Sequence, residues 1–166
     1  MACGCRNKTE SKLYDSLRNL FPEATITPQH PGPKLDGQTH FDFLLTFPDG
    51  FEVLIELDGP QHFWVGHFNM SESQFDEACK RDLAKEKWAV QRRLCVVRVL
   101  QENVWNDEHD WQGWLVRSIS KARVCEPQPI TPDAPEYRSA DSGYVKIRCL
   151  PNDAQMYSEN SLTQVV

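Results

Sequence analysis

Two carboxylates, an amide and an imidazole fall within seven positions in the stretch Ile55-Glu56-Leu57-Asp58-Gly59-Pro60-Gln61-His62-Phe63. Apolar residues lead into it, and a glycine-proline turn separates the acids from Gln61 and His62. Asp42, Glu56 and Asp58 supply hard oxygen ligands. With the Leu57 carbonyl they suit Mg²⁺ or Mn²⁺ rather than a thiolate-rich zinc site. Such a cation polarises a phosphoryl oxygen and lowers the pKa of a bound water. His62 and Lys85 are candidates for orienting or deprotonating that water, or for protonating the leaving oxygen. Gln61 is placed to orient water or substrate. A basic segment carrying Lys80, Arg81, Lys87, Arg92 and Arg93 could hold a strand through its phosphates. Together these parts describe metal-dependent hydrolysis of a phosphodiester.

Several of these residues also have plainer uses. Glu10 suits the first turn of a helix through the dipole, with contribution to a site as the second reading. Asp58-Gly59 is turn chemistry. His62 before Phe63-Trp64 can be a packed histidine. Asp82 and Lys85, three apart on one helix, can form a surface ion pair or lean together toward a sheet edge. Asp42 lies between two phenylalanines and Glu56 follows Val53-Leu54-Ile55. Those two are harder to explain structurally, because buried charges need partners.

The elements that must position them are legible. His40–Phe47 and Phe51–Leu57 are aromatic and β-branched runs around Pro48-Asp49-Gly50, a hairpin signal. A three-residue loop pairs positions that sum to 98, so Asp42 faces Glu56 and Leu44 faces Leu54. Opposed side chains share a face at roughly 5 Å, and two carboxylates so placed repel unless a proton or cation lies between them. A slip of one residue would send them to opposite faces.

Residues 8–21 read as a helix with Thr9 as cap and Leu13, Leu17 and Leu20 inward. Residues 24–27 read as a short β run, followed by a proline-rich loop from Pro28 to Gln38. A long helix is expected from about Gln74 to Arg93, capped by Ser73, with Phe75, Cys79, Leu83 and Val90 on one stripe. Leu94–Leu100 reads as a strand covered on both faces. A polar connection from Asn103 to Asp110 leads to a last helix from Trp111 to about Ala122. The expected organisation is a domain over residues 1–123 and a second segment, 124–166, made of a proline-rich linker and a largely mobile acidic and polar tail. Tyr144–Leu150 is the one β-like segment there.

Over 166 residues the formal net charge is −6, but it is unevenly spread. Residues 80–98 carry seven basic and two acidic side chains. That basic block after a carboxylate-rich one suits a metal and a polyanion, and equally a solvated helix face. Six cysteines show no C-x-x-C pair and no disulfide framework. Cys3 and Cys5 read as reduced thiols before half a metal site, and Cys79 and Cys95 as core residues. The apolar runs are too short to span a bilayer and the start carries no signal region. An intracellular protein, cytoplasmic or nuclear and not secreted, is expected.

At Asp42, at E-x-D-G-x-Q-H over residues 56–62 and at D-x-x-K over residues 82–85, the chain resembles the PD-(D/E)XK, or restriction-endonuclease-like, superfamily. The resemblance runs from about Glu10 to Leu100. Its closest branch is similar to very-short-patch-repair endonucleases and some phage-type homing endonucleases. It implies an α/β (α+β) fold with an α-β-β-β-α-β core, a mixed central sheet flanked by helices, and here an extra C-terminal helix. It also implies that Asp42 and Glu56 bind metal, that His62 joins catalysis, and that the fold cuts or nicks DNA. The usual lysine two residues after the glutamate is Asp58 here, so Lys85 or His62 would take its role. The expectation is a Mg²⁺-dependent (or Mn²⁺-dependent) endonuclease, monomer or homodimer, with DNA ahead of RNA as partner and no membrane. The alternative is a nuclease fold that has lost cleavage and serves as a nucleic-acid- or protein-binding module.

Overall fold

The computed structural model describes residues 7–157. Its frame is the hairpin of β2 (Gln38–Thr46) and β3 (Glu52–Asp58). Phe43 pairs with Ile55, Leu44 with Leu54 and Leu45 with Val53, the register anticipated from the turn. β1 (Thr25–Lys34) adds antiparallel to β2, while β4 (Val96–Leu100) and β5 (Pro129–Ile130) add in parallel beyond β3. The result is a five-stranded mixed sheet in the order β1-β2-β3-β4-β5, flanked by helices.

α1 (Lys8–Leu20) puts Leu13 and Leu17 fully inside. Its cap is Asn7, whose Oδ1 accepts from the Glu10 amide at 2.8 Å, and not Thr9, which is buried within the first turn. α2 (Glu72–Gln91) begins two residues earlier than expected, because Ser71 and Gln74 form a reciprocal capping box. Ser73 therefore lies inside the helix. α2 makes the crossover that lets β4 run parallel to β3. α3 (Gln101–Asn106) occupies part of the expected polar connection, and α4 (Trp111–Ala122) follows as anticipated.

The two sheet faces are packed differently. On one, Phe43, Ile55, Val97 and Val99 meet Leu13 and Leu17 of α1 and Leu115 and Ile119 of α4. On the other, Leu44, Leu54 and Val96 meet Ala89 of α2. Strand alternation puts Glu56, Asp58 and Arg98 on this second face as well, directly under α2.

Two expectations are corrected here. The proline-rich stretch from Pro28 to Lys34 is strand, not loop. β1 is the edge of the sheet, where a proline need not donate to the ladder. Tyr144–Leu150 is helical: α6 spans Gly143–Cys149, started by the Ser142 hydroxyl, which accepts from the Tyr144 amide at 3.2 Å. Over seven residues an alternating pattern and a helical one are hard to tell apart. The remaining elements are α5 (Pro135–Arg138) and α7 (Asn152–Gln155). Within 124–157, β5 joins the sheet and α6 packs on α2. Cys3, Cys5 and the end of the expected tail lie outside the described residues. Among the described residues no helix is long and apolar enough to cross a membrane.

Candidate functional site

The β2–β3 ladder ends at Phe43 and Ile55. One step further on, the Leu57 amide donates to Asp42 Oδ2 at 2.7 Å instead of to a backbone carbonyl. The carboxylate thus takes over the ladder where the strands part. Glu56, 4% exposed, stands beside Asp42. Burial, then the charge of Glu56, raise the Asp42 carboxyl well above its ordinary value of 3.8, with Glu10 adding to the rise. Glu10 is itself buried and accepts from Gln29 Nε2 at 2.5 Å.

Lys85 reaches down from α2. Its ammonium lies 2.6 Å from Glu56 Oε1 and 4.8 Å from the centre of the Phe41 ring. Burial alone would lower its pKa, but Glu56 and Asp82 outweigh burial and hold it above 10.5. Lys85 is therefore a fixed positive charge at neutral pH and not a base. The surface Asp82–Lys85 pair is not formed: each side chain turns inward to a different partner.

Asp58 is placed otherwise than expected for a metal ligand. Its oxygens accept from Arg98 Nε at 2.7 Å, Arg98 Nη2 at 2.9 Å and the Tyr137 hydroxyl at 2.7 Å. Arg98, 1% exposed, also pairs with Asp82 at 2.7 Å and Glu86 at 3.1 Å. Burial works against the charge of Arg98, yet Asp58, Asp82 and Glu86 raise its pKa further. Asp82 is held well below 3.8 despite burial, chiefly by Arg98 and then by His62. Arg148 and Tyr144 complete the network on Glu86. Arg98, Glu86, Tyr137, Tyr144 and Arg148 were not expected at the site. An arginine inside an otherwise apolar strand was the one available signal.

His62 sits at the end of the short 3-10 turn Pro60–His62, with Nδ1 3.9 Å from Asp58 Oδ1. Together with Gln61, Asp82 and Lys85 it lines a cavity of about 210 Å³. This cavity brings the expected proton-handling groups to one side of α2.

The basic face is less free than its charge suggests. Arg81 contacts Asp36 and the Tyr157 hydroxyl, each at 3.4 Å. Lys87 donates to Gln155 at 2.8 Å. Arg92 stacks over Trp88 at 4.0 Å, Lys80 lies 3.7 Å from Glu77, and Arg93 lies 3.9 Å from Glu126. Arg93 has a side chain 78% exposed.

A hard divalent cation fits the Asp42–Glu56 pair. Burial and the charge of Glu56 both oppose ionisation of Asp42, and a cation between the two acids would relieve that opposition. Among the described residues no group of three or more His, Cys, Asp and Glu side chains forms a metal cage. Mg²⁺ commonly needs only one or two carboxylates, with water and phosphate filling its other positions. Asp58 does not fit, since Arg98 and Tyr137 already hold both its oxygens.

Comparison with protein-family models, curated proteins and solved structures gave no match. The functional reading therefore rests on these residues and their geometry.

The raised Asp42 carboxyl has a measurable consequence. Its folded pKa lies above its unfolded one, so between the two the folded state binds more protons. Metal-free stability then falls as pH rises through that window. Asp42→Asn keeps the acceptor for Leu57 and removes the charge. In EDTA at pH 8 it is expected to stabilise the fold by on the order of 1 kcal/mol or more, since each pKa unit is worth about 1.4 kcal/mol. Mg²⁺ should raise the melting temperature of the parent protein and not of the variant. Urea and thermal unfolding at several pH values check both points.

Proposed function

We propose that the protein is a metal-dependent endonuclease that hydrolyses phosphodiester bonds, with DNA as the substrate. The observation that carries this is the Asp42–Glu56 carboxylate pair, facing across the parting strands with the Lys85 ammonium 2.6 Å from Glu56. The likeness of Asp42, the 56–62 motif and Asp82–Lys85 to the restriction-endonuclease-like fold supports the same reading, as does the α1-β1-β2-β3-α2-β4 order.

Asp42 and Glu56 are the residues that would hold Mg²⁺ or Mn²⁺. A bound cation supplies polarisation of the phosphoryl oxygen and a more acidic water. Lys85 sets a permanent positive charge beside the reacting phosphate, where negative charge grows in the transition state. It takes the place of the lysine that the superfamily usually carries at the Asp58 position. His62 opens into the same cavity and exchanges a proton with water or the leaving oxygen. Gln61 orients what enters. Asp58 acts as a strut: by gripping Arg98 it locks β3 to β4 and α2, and so fixes where Glu56 and Lys85 meet. Arg93, Arg92 and Lys80 attract the polyanion.

Supercoiled plasmid incubated with the protein in Mg²⁺, Mn²⁺ or EDTA provides the test. Conversion to nicked or linear DNA in either metal, and none in EDTA, is expected. If there is no conversion and calorimetry detects no Mg²⁺ or Mn²⁺ binding, cleavage is excluded and the binding-module reading takes its place.

A further inference from the structure

A larger cavity, about 560 Å³, opens at the C-terminal ends of β3 and β4, between the start of α1, the 3-10 turn and α3. Its volume lies within the range of small-molecule sites. Phe63, Trp64, Phe68 and Trp105 contribute to its walls. Phe68 is 78% exposed and Trp105 is 54% exposed. Large aromatics left open at the rim of one cavity mark a contact surface.

The floor is polar and closely built. A Cβ at Gly59 would collide with the Gln61 amide and would lie 2.6 Å from Gln101 Oε1. Gly59 has an ordinary negative φ of −88°, so its lack of a side chain serves the approach of those two amides. A carboxamide offers a donor and an acceptor side by side, the pattern that reads the edge of a base. The charges of the lining select further. Asp58, Glu102 and Glu136 stand against one lysine, Lys8. A phosphate is disfavoured inside, and a neutral ring is not. Gln61 also lines the smaller cavity that holds Lys85 and His62. The two cavities therefore adjoin at Gln61, with Lys85 on one side and the aromatic walls on the other.

We propose that this cavity is a nucleobase subsite that takes one unpaired base of the strand being cut. The inference rests on the endonuclease reading and adds a substrate class to it: strands with a bulged, flapped or otherwise unpaired base, in preference to perfect duplex. An unpaired base avoids the cost of leaving the stack, and an aromatic platform accepts any base by its face.

The test uses the full chain and two DNA duplexes of one sequence, one perfect and one with a single bulged 2-aminopurine. Affinity for each is measured by anisotropy in Ca²⁺, and stacking by quenching of the 2-aminopurine. The parent protein is expected to favour the bulged duplex roughly tenfold, the scale of one stacked base, and to quench the probe. Trp105→Ala and Gln101→Ala should bring the ratio of the two affinities close to one and release the quenching. Trp105 is half open, so its removal leaves the core intact. Val124→Ala, outside the cavity, should keep the ratio. Equal affinity of the parent for both duplexes, or a preference that survives both substitutions, overturns the subsite and leaves the endonuclease reading standing. A parent that neither binds nor nicks either duplex in any metal overturns the endonuclease reading, and the subsite falls with it.

Discussion

Glu56→Gln is expected to abolish metal-dependent nicking while leaving the fold intact. Glutamine keeps the shape of the side chain and an oxygen that can accept from Lys85, whose ammonium lies 2.6 Å from Glu56 Oε1. It removes the charge that shares the site with Asp42. A cation at such a site contributes several kcal/mol to the transition state. Loss of about 4 kcal/mol corresponds to roughly a thousandfold in rate. Initial nicking rates in Mg²⁺, with urea unfolding run alongside, check this. A variant that nicks within tenfold of the parent would remove Glu56 from the reaction. Alanine is the poorer test here, because it strands the buried Lys85 and costs stability in its own right.

Arg98→Met is expected to have the largest effect on stability. The guanidinium holds Asp58, Asp82 and Glu86 together inside the protein. Methionine restores much of the volume but leaves three enclosed carboxylates facing one another. Breaking a buried pair from one side costs about 3–5 kcal/mol, a large part of a typical total of roughly 5–15 kcal/mol. With a urea slope of about 2 kcal/mol per molar, the unfolding midpoint should fall by roughly 2 M. Arg98→Lys should fall between parent and Met, since it keeps the charge and loses the fork that grips Asp58 twice. A midpoint unchanged in Arg98→Met would show that the network carries no stability. Acid should have a related effect. Asp82 is held well below 3.8 in the fold, so its share of stability is present above that pH and is lost as the pH falls toward its folded value.

These two residues were unequally legible. Glu56 could be found because a charge after Val53-Leu54-Ile55 needs a partner, and turn length placed Asp42 opposite it. Lys85 was a candidate through its helical spacing from Asp82 and through the D-x-x-K resemblance. Arg98 stood in a run read for its apolar character, and otherwise counted only as one charge of the basic block over residues 80–98. Its importance depends on Asp82 and Glu86, which are 16 and 12 residues away on α2, and on Asp58, 40 residues away. No local pattern carries such separations. Asp58 shows the reverse failure. Its type suited a metal, but carboxylate chemistry does not say whether a cation or a guanidinium will meet it. Tyr137, which hydrogen-bonds Asp58 at 2.7 Å, was hidden in a stretch whose prolines read as linker.

By itself the sequence determined the strand and helix order through β4, the hairpin register and the meeting of Asp42 with Glu56. Periodicity and turn length are local, and a register error would have turned apolar residues to the wrong face. Only the tertiary structure decided which charges meet which. It turned Lys85 onto Glu56 and Arg98 onto Asp58, Asp82 and Glu86, and brought the 124–157 segment back against α2. A buried charge takes whichever opposite charge packing brings within reach, and packing joins residues that sequence spacing does not.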